Sequence, residues 1–142
     1  MENVSPKYVT KHAIEGLVEK INLPAPDEYS QDWEYEVSDS SRLSELLSAY
    51  ENIDLSTEEK FALMIVIISS FNDAIIENLT DDRSASLIKS LLLQDISIHR
   101  HTIRYWAMME ENDLENCHAV TPFIREIAYI SNLDSTTEKE ES

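Results

Sequence analysis

The chain has 142 residues, 42% of them apolar, with 11 basic against 28 acidic side chains and a formal net charge of −17. A single domain of this length buries roughly 70% of its unfolded surface, so a real core needs no staples. Its charge disfavours contact with nucleic acid or anionic membrane, and its one cysteine, Cys117, excludes an intramolecular disulfide framework.

A lone thiol fits a reducing compartment. The opening "MENVSPKYVTKH" has no basic region followed by an apolar run, so no signal peptide is expected. The longest apolar run, "FALMIVII", falls far short of the roughly 20 residues that span a bilayer. The expectation from these features together is a cytoplasmic protein, away from membranes.

Gly16 is the only glycine, which removes Gly-rich phosphate loops, dinucleotide fingerprints and Asn-Gly hairpins. What remains is a succession of helices. Ser5 and Pro6 read as a cap and first-turn pair, followed by Val9, Ala13, Leu17 and Ile21 at a spacing of four. That helix stops before "LPAP", where the prolines impose an extended path. Residues 24–37 then read as an acidic, aromatic loop, in which "WEYEV" alternates and could pair as a short isolated strand.

A second helix begins around "SDSSRL" and buries Leu43, Leu46, Leu47 and Tyr50. Ser56 and Glu59 form a capping box for a third, over about residues 57–78, whose "FALMIVII" is apolar on every side and so belongs at the centre. "TDDR" caps a long fourth helix running to about residue 109, and "TPF" restarts a last one burying Phe123, Ile124, Ile127 and Ala128. The expectation is an all-α, compact bundle of about five helices with acidic connecting loops, as a single domain over residues 1–133. The tail 134–142 is acidic, has no apolar residue and is expected to be frayed.

Placed on a wheel of about 100° per residue, the fourth helix lines up Leu87, Leu91, Ile98 and Tyr105. Ile88, Leu92, Ile96, Ile103 and Trp106 fill the next half-turn, with His99 in the middle and Asp95 one turn earlier. His101 falls outside, so "HRH" is no metal clamp, because i and i+2 do not share a helix face. Asp95 and His99 read as a structural polar pair, the carboxylate holding the ring in one tautomer. The sharper alternative makes them the centre of a metal-dependent or acid–base enzyme. No nucleophile motif and no HExxH pattern accompanies them. Lys89, Arg100 and Arg104 gather on the outer face around Leu93, where an acidic loop is expected to fold over them.

Two acidic stretches carry the functional expectation. "PDEYSQDWEYE" offers Asp32, Trp33, Glu34, Tyr35 and Glu36, and "WAMMEENDLENCH" offers Glu110, Glu111, Asp113 and Glu115. Aromatic anchors inside an acidic rim suit a basic protein partner. Trp33 has a second reading as a core lid, with only the carboxylates facing outward. The second stretch lacks the glycine and ligand pattern of a calcium loop, and Cys117–His118 lacks further zinc ligands, so no metal and no cofactor is expected.

In kind, a small, soluble, acidic helical protein looks like bacterial immunity proteins and antitoxins, on class features alone. The likeness implies an inhibitor that neutralises a basic partner such as a toxin nuclease, by placing carboxylates where phosphates would bind. It implies no catalysis and no direct nucleic-acid binding. General mimicry of nucleic acid ranks lower, because the charges gather in two loops and a tail. A homodimeric helical regulator is the remaining alternative, with Leu93 and Met108 as the residues to cover.

Overall fold

The computed structural model describes residues 6–28 and 32–131. Seven α-helices lie within them: α1 (Lys11–Ile21), α2 (Trp33–Glu36), α3 (Leu43–Asn52), α4 (Thr57–Ile76), α5 (Asp82–Gln94), α6 (Ile96–Ala107) and α7 (Thr121–Ile130). Short 3-10 turns at Ser40–Arg42 and Leu114–Asn116 complete the regular structure. Among the described residues there is no strand, and no helix is long and apolar enough to cross a membrane. The protein is all-α.

Three local expectations are corrected. The first helix begins at Lys11, because the Thr10 hydroxyl accepts from the Ala13 amide and caps it there; Ser5 lies outside the described residues. "WEYEV" forms the helical turn α2 in place of a strand. The long fourth helix is two helices, broken at Asp95 (φ −110°, ψ 40°), and α6 departs from helical angles again at His99 (φ −107°, ψ 15°). Together with α2, this break raises the count from about five helices to seven. The tail 134–142 lies outside the described residues.

Every residue of α4 from Phe61 to Phe71 is buried. A helix apolar on its whole circumference needs cover on every side, and α4 touches α1, α2, α3 and α6. At its later end Asn72 Oδ1 accepts from the Val120 amide, and the rings of Phe71 and Phe123 meet edge-on at 5.2 Å. Those contacts seat the start of α7 against α4, while α7 packs along α6.

The expected capping box is present: Ser56 Oγ accepts from the Glu59 amide at 3.1 Å, and Glu59 Oε1 accepts from the Ser56 amide at 2.9 Å. Glu59 is nonetheless buried, and Lys20 Nζ lies 2.7 Å from its Oε1. Burial works to raise the Glu59 pKa, but the Lys20 ammonium and the Ser56 amide outweigh it and hold the carboxyl below its ordinary range. Its other oxygen rests against Gly16, at the spot a Cβ there would occupy. The single glycine is thus the gap through which a buried carboxylate reaches its lysine.

Gly16→Ala tests this by its sign. Alanine in a helix interior gains about 1 kcal/mol over glycine, yet the collision with Glu59 is expected to make the variant less stable, by about 1–3 kcal/mol. In a Glu59→Ala background the same change should become stabilising. Urea unfolding of the four proteins reads both signs, and a stabilising Gly16→Ala in the wild-type background refutes the account.

Candidate functional site

The two acidic stretches are far apart in the chain, and one cluster of rings brings them together. In α2, Trp33 turns inward, 3% exposed, and its indole N–H donates to the Pro24 carbonyl at 2.7 Å. Two positions on, Tyr35 leans away from Trp33 onto α6, with its ring 6.1 Å from Tyr105 and 6.0 Å from Trp106. The imidazole of His118, at the end of the second stretch, lies 4.6 Å from the Trp106 ring. Trp106 therefore has ring contacts both to α2 and to the end of the 108–118 loop. Tyr105, 52% exposed, and Leu114, 54% exposed, supply apolar surface among the carboxylates.

Asp32 and Glu36 are exposed, and Glu34 is half-buried. Burial, together with the charges of Asp32 and Glu36, raises the Glu34 pKa against an opposing backbone hydrogen bond. A cation arriving here would relieve that repulsion. In the second stretch Glu110, Asp113 and Glu115 are exposed and Glu111 is half-buried. Two of these acids also shape their own loop: Glu111 Oε2 accepts from the Asp113 amide at 3.1 Å, and Asp113 Oδ1 from the Glu115 amide at 3.0 Å.

Arg125 of α7 holds that loop in place. Its Nε donates to the Ala107 carbonyl at 2.7 Å, and Nη2 donates to Met108 at 2.6 Å and Glu111 at 2.7 Å. The guanidinium thus satisfies carbonyls left open at the end of α6. No sequence pattern marks Arg125, because its partners are backbone oxygens 14 to 18 residues away. The basic strip of Lys89, Arg100 and Arg104 is half-buried, and Arg100 and Arg104 both have interaction partners. Leu93 packs against the core of its own chain, and Met108 is the left-handed C-cap of α6.

Asp95 and His99 do come together, through a third residue. Tyr50 Oη of α3 lies 2.7 Å from Asp95 Oδ2 and 2.7 Å from His99 Nε2. A phenol has one proton, and the carboxylate can only accept it. Tyr50 therefore donates to Asp95 and accepts from His99 Nε2–H, which leaves Nδ1 as the bare nitrogen. Nδ1 is buried without a partner, so a second proton there would find no acceptor. Lys60 stands 3.9 Å from Asp95 Oδ2 and over the Tyr50 ring. Burial, aided by Lys60 and opposed by Asp95, lowers the His99 pKa to about 4. The side chain is completely buried, with its Nε2 edge taken by Tyr50. Among the described residues, no group of three His, Cys, Asp or Glu side chains is placed to hold a metal ion.

No protein-family model matches this chain, and no curated protein or solved structure is significantly similar to it.

The cluster sets a pH dependence. Between the unfolded value of 6.5 and the folded value of about 4, the unfolded chain binds more protons at this histidine. Stability from His99 is therefore complete above the unfolded pKa and is lost as pH falls toward the folded one, by about 3 kcal/mol in all. Urea midpoints of wild type and His99→Gln between pH 7 and 4.5 should have different slopes, with the steeper fall in the wild type. Parallel curves refute the exclusion of the proton.

Proposed function

We propose that this protein is a binding module that neutralises a basic protein partner, acting as an immunity- or antitoxin-type inhibitor. The observation that carries the reading is the convergence of both acidic stretches on the end of α6, around exposed Tyr105 and Leu114. An aromatic centre inside an acidic rim is the composition that protein interfaces favour, and the rim speeds encounter with a cationic surface. Arg125 fixes the backbone of the second stretch, so little ordering is lost on docking. A nuclease cleft is a fitting target, because it is built to receive phosphate oxygens and carboxylates can take their place. Trp33 is left out of the contact surface, its indole being committed to Pro24. The acid–base alternative at His99 draws less support, since its ring is sealed and both donor and acceptor of the Tyr50 hydroxyl are already engaged.

The test is capture of partners from the source cell at about 50 mM salt, with four baits. These are wild type, Glu34→Lys/Glu36→Lys, Glu111→Lys/Asp113→Lys, and Glu15→Lys/Glu19→Lys as an equal-charge control on α1. A basic protein should be retained by wild type and control and lost from the other two. Its association rate should fall about tenfold with either reversal, and depend less on salt. Equal retention on all four baits refutes the assignment of this face.

A further inference from the structure

Two recesses lie side by side behind α2, with Lys7, Tyr35 and Ile65 as a common wall. The outer one, of about 310 Å³, runs past Trp33 and Glu34, and the inner one, of about 90 Å³, is bounded by Thr102 and Trp106 of α6. These two residues stand one turn apart and so share a face of the helix. They are 4% and 3% exposed, and both Thr102 Oγ1 and Trp106 Nε1 are buried without a hydrogen-bond partner. Ser70 and Thr121, buried as deeply, are satisfied by the Asp39 amide and the Trp106 carbonyl. Buried polar groups are normally paired, so two unmet ones on residues that line one cavity point to a missing partner there.

We propose that the paired recesses bind a small apolar monocarboxylate. The chemistry of the lining selects this class. An indole N–H can only donate, and a threonine hydroxyl can donate alongside it, so the missing group is an acceptor. Lys7, an exposed residue of the shared wall, brings a positive charge that favours a charged acceptor over a neutral one. At about 30 Å³ for each water-sized group, the inner recess has room for a carboxylate head. The outer recess offers Trp33 and Ile65 to an apolar body, and Glu34 there opposes a second carboxylate.

Both tryptophans line these recesses, so intrinsic fluorescence reports their occupancy directly. The full chain is titrated with acetate, butanoate, hexanoate and octanoate at about 0.15 M salt, where the long-range field of the protein is screened. Hexylamine, hexanamide and adipate serve as controls. A saturable change is expected with affinity rising along the series, and with hexanoate about tenfold tighter than any control. Thr102→Val, which exchanges the hydroxyl for a methyl, and Lys7→Met should each weaken hexanoate about tenfold with the far-UV spectrum unchanged. The proposal is overturned if no carboxylate gives a saturable change, if hexanamide or hexylamine binds as well as hexanoate, or if Thr102→Val leaves its affinity intact. It is equally overturned if nuclear magnetic resonance finds only a water between Thr102 and Trp106. No protein partner enters the experiment, so it stands or falls separately from the reading above.

Discussion

A helix with no wet side dictates what its neighbours must be. From Phe61 to Phe71 α4 has no exposed residue, so apolar surface has to arrive from every direction. α1 and α3 supply it with ordinary amphipathic faces. Four residues of α2 supply it with one large ring, and the need for that ring explains why an acidic stretch contains tryptophan at all. The same turn that sends Trp33 inward sends Asp32 and Glu36 outward. Burial and charge display are two faces of one short element.

Two polar devices drawn into this core are held by specific partners. Glu59 closes the N-terminus of its own helix, meets Lys20 from α1 and needs the missing side chain of Gly16 to fit. Tyr50 spends its single proton on Asp95 and its lone pair on His99. Both devices tie neighbouring helices together through directional contacts, which apolar packing alone does not provide. The second also lies where the α5–α6 rod bends, since both departures from helical geometry fall on residues that Tyr50 holds.

Much of this was legible in the sequence because it is local. Apolar spacing near 3.6 exposed the faces of α3 and α7, an unbroken apolar run marked α4 as enclosed, and the capping box at Ser56 and Glu59 fixed its start. The break at Asp95 was not legible. No proline or glycine marks it, and the group engaging the carboxylate lies 45 residues earlier. A wheel drawn through the break carries the wrong phase beyond it. Tyr105, aligned with Leu87, emerges half exposed, while Ile103 and Trp106 stay inside. The acidic stretches were visible as composition, but their meeting was not, because it depends on Tyr35, Trp106 and His118 stacking across three segments.

Arg125 grips the second stretch by the carbonyls of Ala107, Met108 and Glu111 and asks little of the side chains it displays. A loop fastened through its main chain can change its lettering while keeping its path. Drift at Glu110, Leu114 or Glu115 can then redraw the charge map of this face on an unaltered frame. Surface display and architecture are uncoupled at this loop, and its vocabulary is free to diverge faster than the fold beneath it.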